Sequence, residues 1–285
     1  MGDSIKFKNA IAIASGKGGV GKTNISVNLS LALRKLSKRV TLFDADMALA
    51  NAHIVMGVQP NLTLADVLDD KRSLADVCNV GPLGVKLISG GSGLSELMNV
   101  SSDGRRKLIH SFAELEDDCD FLIVDTAAGI EDNVLEFVRA CNRIMIIVVG
   151  EPAAFIDAYA CIKVLHQLSG IQHFDVVVNR SRDVAHGKDV FKRFKGIVER
   201  FLDASLYHAA SIPEDNQLHA SVARCSPITI MNPEAPSARA IAGLAASLLG
   251  SNATPTNDDS SFFMADIERP HQESSHSNKI DGEPK

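Results

Sequence analysis

The residues whose types and spacing best suit chemistry form one glycine-rich stretch near the start of the chain, Gly16-Lys17-Gly18-Gly19-Val20-Gly21-Lys22-Thr23. The stretch matches the pattern G-x-x-x-x-G-K-[ST] and lies between a predicted strand and a predicted helix, which is the context that a phosphate-binding loop requires. Glycines let backbone N–H groups converge on phosphates, and the N-terminus of the helix adds partial positive charge. Lys22 can then reach the β and γ phosphates, and the Thr23 hydroxyl can ligate Mg²⁺. The stretch therefore predicts a site for ATP with Mg²⁺, to which we also assign Asn24.

A second source of chemistry is the acid that ends an apolar strand. The run Phe121-Leu-Ile-Val-Asp125 places a carboxylate directly after four apolar residues, and ligands of open α/β sheets bind where the strands end. We expect Asp125 to bind the metal through one of its water molecules. A backbone N–H near Gly129 is suited to sensing the γ phosphate, which would make the order of this loop depend on ATP. The segment Phe43-Asp44-Ala45-Asp46 brings two further carboxylates to the same edge of the predicted sheet.

The elements that must position these residues are short apolar strands alternating with longer helical segments. Seven strands are predicted, the last from the weakest pattern: residues 10–14, 40–43, 85–88, 121–124, 144–149, 174–178 and 206–212. Crossover helices are predicted to begin near Lys22, Ser102, Asp132, Ala153, Lys188 and Ala235. This alternation is typical of a three-layer α/β fold of the P-loop NTPase type, in which a mostly parallel twisted sheet lies between helices on both faces.

Composition divides the chain into a domain at residues 1–250 and a tail at residues 251–285. The tail is rich in Ser, Asn and acidic residues and cannot bury enough apolar surface to repay ordering, so we expect it to be disordered. The net charge of the chain is -6, which gives no reason to expect a nucleic-acid partner. Five cysteines lie far apart without a CxxC pair, so we expect reduced thiols rather than a zinc or iron–sulfur site. The N-terminus lacks an apolar signal segment, and the predicted location is the cytoplasm.

The pattern Lys17-Gly-Gly-Val-Gly-Lys22-Thr23 resembles the deviant Walker A family, which includes MinD, ParA and the nitrogenase iron protein. The resemblance implies an ATPase that forms a homodimer around ATP, with Lys17 reaching the nucleotide of the partner subunit. It also implies that Asp46 orients the attacking water, while Asp44 supports Mg²⁺ and the shape of the site. Two further positions match the family's adenine site: Asn179, and Pro213 in the segment Ile212-Pro213-Glu214-Asp215.

A smaller set of residues points to one branch of the family. The segments Asp44-Ala-Asp46-Met-Ala-Leu-Ala-Asn51, Asp125-Thr-Ala-Ala-Gly129-Ile130 and Glu151-Pro152 through Asp157-Ala158-Tyr159 look most like the flagellar-number regulators FlhG and FleN. Asp157 also resembles the acid that holds the extra lysine of MinD when ATP is absent. This branch implies a cytosolic ATPase with slow turnover. It would restrain flagellar biogenesis through an FlhF-like GTPase, a σ54-type activator or the flagellar C-ring.

Other functions of the same loop remain alternatives at this stage. A MinD-like division-site protein or a ParA-like protein that positions cargo or chromosomes would share the ATP site, and a binding module without turnover would result if the aspartates were misplaced. An iron–sulfur carrier would normally have a CxxC pair, and an exopolysaccharide kinase a terminal tyrosine cluster; the chain has only Tyr159 and Tyr207. Residues 238–248 are apolar with one arginine, so a packed final helix is favoured, and weak peripheral contact with the inner face of the cell membrane stays open.

Overall fold

The structure is a computed structural model, and it describes residues 7, 9–46, 50–62, 64–68, 72–90, 108 and 111–250. The predicted tail at residues 251–285 and the helix predicted near Ser102 lie outside the described residues. The division of the chain into a domain and a tail therefore stays a prediction.

The described residues form an eight-stranded sheet in the order β3-β4-β2-β5-β1-β6-β7-β8. The strands are β1 (Ala10–Ala14), β2 (Val40–Ala45), β3 (Asn79–Val80), β4 (Lys86–Ser89), β5 (Phe121–Thr126), β6 (Arg143–Val149), β7 (His173–Ser181) and β8 (Ser205–Pro213). Adjacent strands pair in parallel, except that β3 pairs with β4 in antiparallel orientation. The mostly parallel sheet that the sequence predicts is therefore confirmed.

Helices cover both faces of this sheet. They are α1 (Lys22–Lys35), α2 (Ala52–Met56), α3 (Leu64–Leu68), α4 (Asp132–Arg139), α5 (Pro152–Ser169), α6 (Val184–Phe201), α7 (Asn216–Ala223), α8 (Ile228–Met231) and α9 (Pro236–Ser247), with 3₁₀ turns at Pro82–Gly84 and Phe112–Asp118. One core contains buried residues of α4, α5 and α6, and a second contains those of α1, α2 and α9. Consecutive residues of β1 lie in opposite cores, Ala12 in the first and Ile13 in the second. This is expected for a strand that is buried on both faces.

The apolar side of α9 belongs to the second core. Ile241, Leu244 and Ala245 of this helix are buried there, so the described part of residues 238–248 is a packed final helix, as predicted. None of the helices in the part of the chain that the structure describes is both long and apolar enough to cross a bilayer.

Sequence patterns located the strands better than the ends of the helices. All seven predicted strands are present, and β3 was missed because two residues carry no periodicity. Helix α6 begins at Val184, earlier than the predicted Lys188. The physical reason is a cap: the Asp183 carboxylate accepts a hydrogen bond from the backbone N–H of His186, which satisfies one of the free donors of the first turn.

Candidate functional site

The glycine-rich loop joins the carboxyl end of β1 to the first turn of α1, as predicted. Gly21 caps the helix with φ 98°, and a Cβ atom at this position would lie 2.5 Å from Nδ2 of Asn179. A Cβ atom at Gly16 would lie 1.9 Å from the backbone carbonyl oxygen of Asp157. Any larger residue would therefore displace a neighbour at either position, and at Gly21 it would also strain the backbone.

Lys22 is buried within the loop although it carries a charge. Its Nζ donates to Ser15 Oγ at 2.9 Å, and Ser15 Oγ donates in turn to the carbonyl oxygen of Lys17 at 2.8 Å. Burial lowers the pKa of Lys22, while the negative charges of Asp125 and Asp46 oppose that shift. The ammonium group is thus held by one hydroxyl and has donors left for an anion.

Two carboxylates face each other across adjacent strands next to this lysine. Asp44 and Asp125 are register partners on β2 and β5, and each is only 1% exposed. Burial raises the pKa of Asp44 to about 8, with the charge of Asp125 adding to the shift. Burial also raises the pKa of Asp125 to about 6, against the opposing effects of the nearby Thr23 hydroxyl and of the hydrogen bond from Ser26. Two buried acids on neighbouring strands favour the binding of a cation. Such a cation would lie between these acids and the phosphates of a nucleotide.

The contacts of the Asp125 carboxylate fit a hydrated magnesium ion. Its Oδ1 accepts a hydrogen bond from Ser26 Oγ at 2.9 Å, whereas its buried Oδ2 has no hydrogen-bond partner among the described residues. Within the same residues, no group of three or more His, Cys, Asp or Glu side chains could hold a metal. Mg²⁺ is commonly bound by one or two carboxylates together with waters and substrate phosphates, and not by a cage of protein ligands. The site therefore fits Mg²⁺ that arrives with a nucleotide.

Asp44 has a different set of contacts from Asp125. Its two carboxylate oxygens accept backbone N–H groups, Oδ2 that of Ala52 at 2.9 Å and Oδ1 that of Asp46 at 3.3 Å. The Asp44 carboxylate thus links the half-buried Asp46 to Ala52 at the start of α2. The contacts support the predicted role of Asp44 in shaping the site, and its role toward the metal stays a prediction.

The loop after β5 contacts the start of the glycine-rich loop. The backbone N–H of Gly129, at φ 108°, donates to the carbonyl oxygen of Ser15 at 3.1 Å. The Thr126 hydroxyl donates to the carbonyl oxygen of Ile13 at 3.0 Å. The N–H that we assign to γ-phosphate sensing is therefore occupied by the protein here, so sensing would require it to exchange partners.

A cleft of about 340 Å³ lies beside the first turn of α1. Its lining includes Asn24, which we assign to the ATP site with the glycine-rich loop, and the two residues matched to the adenine site, Asn179 and Pro213. Asn179 is buried, and its Nδ2 donates to the carbonyl oxygen of Val20 at 2.8 Å. The structure brings these three side chains together in one cavity. The contact of Asn179 and Pro213 with adenine stays a prediction.

Lys17 lies outside this buried network. Its side chain is 45% exposed, and its Nζ pairs with Glu151 Oε2 at 3.7 Å. The hypothesis that Asp157 holds Lys17 is not supported, because the ion pair of Lys17 within the described residues is with Glu151. Asp157 instead presents its backbone carbonyl to Gly16. Glu151 precedes α5 and is nearer the edge of the sheet than Asp157, which lies within that helix.

Sequence reasoning missed three polar residues of the site. Ser15 and Ser26 hold Lys22 and Asp125 in place through the hydrogen bonds given above, and Arg180 donates from Nη2 to the carbonyl oxygen of Gly19 at 2.9 Å. Ser26 is one helical turn after Lys22, on the side of α1 that faces the sheet, and that spacing is a signal that could have indicated it. Arg180 gave no such signal, since a residue after Asn179 in a regular strand would face the opposite way.

A phosphate-binding glycine loop, a buried lysine and paired strand-end acids on a parallel sheet define a P-loop NTPase. A family model described as ParA, "NUBPL iron-transfer P-loop NTPase", matches residues 6–249. The chain belongs to this ParA/MinD family of P-loop NTPases, whose general chemistry is nucleoside triphosphate hydrolysis. The words iron-transfer describe the protein for which that family model is named.

Individual relatives narrow the comparison. The chain is 42% identical to the antiactivator FleN of Pseudomonas aeruginosa over 212 residues, which cover 74% of this chain and 76% of FleN. It is 32% identical to the flagellum site-determining protein YlxH of Helicobacter pylori, over 73% of this chain and 70% of YlxH. Among solved structures, the septum site-determining protein MinD of Pyrococcus horikoshii, complexed with Mg-ADP, superposes with a TM-score of 0.68 and 25% identity, covering 83% and 94% of the two chains. The predicted resemblance to the flagellar branch of the family is thus confirmed.

Proposed function

We propose that this chain is an ATP-dependent dimerising switch that hydrolyses ATP slowly and regulates flagellar number, placement and gene expression. The observation that carries the flagellar part is the 42% identity to the antiactivator FleN over three quarters of both chains. The switch part is supported by the contrast between a buried loop lysine, Lys22, and an exposed one, Lys17. A cytoplasmic location is part of the proposal.

The residues of this chain divide the work of binding and hydrolysis. Lys22, held by Ser15, would contact the β and γ phosphates, and Thr23 and Asp125 would hold the magnesium ion, Asp125 through a water molecule. When bound, Mg²⁺ supplies positive charge that offsets the charge developing on the phosphates. Asp46 orients the attacking water, and its position near the loop is supported by the effect of its negative charge on Lys22. Positioning and charge are the main sources of catalysis in phosphoryl transfer.

Slow turnover follows if the site is incomplete in one subunit. Lys17 faces solvent, so it can donate to phosphate oxygens of a nucleotide held by a second copy of the chain. Three exposed apolar residues follow strand ends at the edge where Lys17 lies: Ile130 after β5, Ile156 in α5 and Val184 at the start of α6. A contiguous apolar patch on a protein surface marks contact with another protein, and the proposed ATP-dependent homodimer would bury these three side chains.

The proposed partners of the ATP-bound dimer are an FlhF-like GTPase, a σ54-type activator or a flagellar C-ring protein. They come from the resemblance to the flagellar branch, and the similarity to FleN and YlxH supports that branch. A weak peripheral contact with the membrane is a lesser part of the proposal, because the apolar side of α9 is already used in the core.

The switch is tested with Asp46→Ala, and Asp189→Ala on the outer face of α6 serves as a matched control. We expect Asp46→Ala to bind ATP with Mg²⁺, to dimerise and to lose hydrolysis at least about tenfold, because only the positioning of water is removed. The control should resemble the wild type in all three. Hydrolysis is measured by phosphate release, and mass by light scattering on a sizing column. Normal hydrolysis by Asp46→Ala would remove the assignment of Asp46.

A second candidate function is spatial organisation of the MinD or ParA kind, which the similarity to the Pyrococcus horikoshii MinD structure favours. Deleting the gene in its source organism separates the two: altered flagellar number supports the first proposal, and minicells support a division-site role. Co-sedimentation with liposomes or DNA in the ATP state tests the use of a membrane or DNA matrix. Salt-sensitive DNA binding would favour a ParA-like role, since phosphate contacts depend steeply on salt.

A further inference from the structure

Arg180 adopts a backbone conformation that a residue with a side chain rarely takes. Its φ is 53°, in the left-handed region, although it lies within strand β7. The pairing of β7 with β8 shifts register between Val178 and Ser181, so the irregularity is centred on Asn179 and Arg180. A left-handed conformation at a non-glycine residue costs free energy and persists only where the surroundings enforce it.

The irregular backbone has a direct effect on where two side chains point. In a regular strand, consecutive side chains lie on opposite faces of the sheet. Here Asn179 and Arg180 donate to consecutive carbonyl oxygens of the glycine-rich loop, Asn179 to Val20 at 2.8 Å and Arg180 to Gly19 at 2.9 Å. The break in alternation is therefore what brings both side chains to the loop.

The loop carbonyls bound in this way lie next to the proposed nucleotide cleft. Arg180 lines that cleft together with Asn24 and Asn179. Gly19, the acceptor of the arginine, is exposed and has a positive φ of 77°, so the loop itself has few side-chain contacts at this point. A cationic donor bound to a carbonyl forms a stronger hydrogen bond than a neutral donor, and here it holds an exposed part of the loop.

We propose that Arg180 is a positioning residue that holds the glycine-rich loop in its nucleotide-binding form, and that its strained backbone is retained because it aims the guanidinium at Gly19. The inference rests on the proposed binding of nucleotide with Mg²⁺ at this loop. Arg180 acts through the loop and slows the release of nucleotide. The strained backbone of Arg180 thus serves to retain the ligand and is not needed for the stability of the sheet.

The test uses variants that separate the side chain from the backbone. Arg180→Gly removes both the guanidinium and the strain, Arg180→Ala removes only the guanidinium, and Arg180→Lys keeps a cationic donor. Ser37→Gly is the matched control, because Ser37 is also left-handed, with φ 61°, but is exposed beyond α1 and outside the cleft. Each full-length variant is measured for its melting temperature without nucleotide and for the release rate of fluorescent ADP in the presence of Mg²⁺.

We expect nucleotide release about tenfold faster from Arg180→Gly and Arg180→Ala, the order expected for one charge-assisted hydrogen bond, and about threefold or less from Arg180→Lys. Arg180→Gly should melt no lower than the wild type, because relief of strain offsets the lost bond, while Arg180→Ala should melt lower. Ser37→Gly should melt slightly higher and release ADP at the wild-type rate.

Unchanged release from Arg180→Gly and Arg180→Ala would overturn the inference, provided that the wild type binds ADP with Mg²⁺. A melting temperature of Arg180→Gly that falls below that of the wild type while its release of ADP becomes faster would also overturn it, since the arginine would then be a structural residue. Failure of the wild type to bind ADP would instead overturn the proposed function and, with it, the inference. Only a failure of the proposed function removes the binding of ADP by the wild type. The wild-type measurement therefore distinguishes that failure from a failure of the inference about Arg180.

Discussion

Two lysines of one loop, five residues apart, occupy opposite environments. Lys22 is buried, bonded to Ser15 and close to two acids, and its pKa is lowered by burial. Lys17 is 45% exposed and, among the residues that the structure describes, forms an ion pair with Glu151, which is itself 64% exposed. The desolvation of Lys22 is a cost that an anion inside the same subunit would offset. Lys17 bears little of that cost, so it is available to a ligand outside its own subunit. This contrast fits the proposed division of work, in which Lys22 would complete a site in its own chain and Lys17 would serve a second copy of the chain.

The largest expected effect is on nucleotide binding, and it separates the two lysines. Lys22→Ala should weaken the binding of ATP with Mg²⁺ by roughly 100-fold or more, because a buried charge-assisted contact with phosphate is lost. Lys17→Ala should bind within about threefold of the wild type, because an exposed ion pair contributes little. Isothermal titration measures both. Equal losses in the two variants would break the comparison.

Lys22 should matter more than Lys17 for nucleotide binding, whereas Lys17 should matter more for dimer formation. With a non-hydrolysable ATP analogue, we expect the wild type to dimerise and Lys17→Ala to remain mainly monomeric, with ATP hydrolysis reduced about tenfold, since a catalytic charge supplied by the partner is absent. Sedimentation velocity gives the mass. Dimerisation of Lys17→Ala at wild-type concentrations would contradict the assignment of Lys17 to the partner's site.

The buried acids beside Lys22 predict a dependence of stability on pH. Because folding raises the pKa of Asp125 to about 6 and that of Asp44 to about 8, the native state binds more protons than the unfolded chain above about pH 4. Their contribution is therefore complete below about pH 4 and is lost as the pH rises through these values. Asp125→Asn removes the part of this loss that comes from Asp125, and its free energy of unfolding relative to the wild type should rise by about 1.4 kcal/mol between about pH 5 and about pH 8.

The measurement is urea unfolding without nucleotide at both pH values. Asp189→Asn, an exposed acid on α6, is the control and should show no such rise. Asp125→Asn should also lose the effect of Mg²⁺ on nucleotide affinity, because the carboxylate that holds the hydrated ion is gone. A pH-independent difference between Asp125→Asn and the wild type would contradict the desolvation of this acid.

The smallest expected effect concerns the partner of Lys17. Glu151→Gln removes the ion pair and frees the lysine, but exposed pairs contribute at most about 1 kcal/mol. Dimerisation with the ATP analogue should therefore strengthen about threefold or less, and Glu234→Gln, an exposed acid before α9, should have no effect. Loss of dimerisation in Glu151→Gln would show that Glu151 belongs to the interface instead of restraining Lys17.

How far the sequence predicts this molecule depends on whether a feature is local. The loop at Gly16–Thr23 and the acids at Asp44 and Asp125 were predictable, because each follows an apolar strand and parallel strands bring their carboxyl ends to one edge. The choice of Glu151 over Asp157 was not predictable, since Glu151 precedes and Asp157 lies within the same helix and only packing decides which one reaches Lys17. Arg180 was not predictable for another reason. Its contact with Gly19 depends on a break in the alternation of side chains along β7, and no sequence pattern indicates that break.

The register pairing of Asp44 with Asp125 limits how this protein can change over evolutionary time. A single-residue insertion or deletion within β2 or β5 would turn one of the two acids to the opposite face of the sheet, where apolar side chains pack. Connections outside these strands can lengthen or shorten without that result. Variation in length should therefore accumulate between the strands, and both strands should keep a fixed number of residues before their acids in any descendant that still uses the nucleotide.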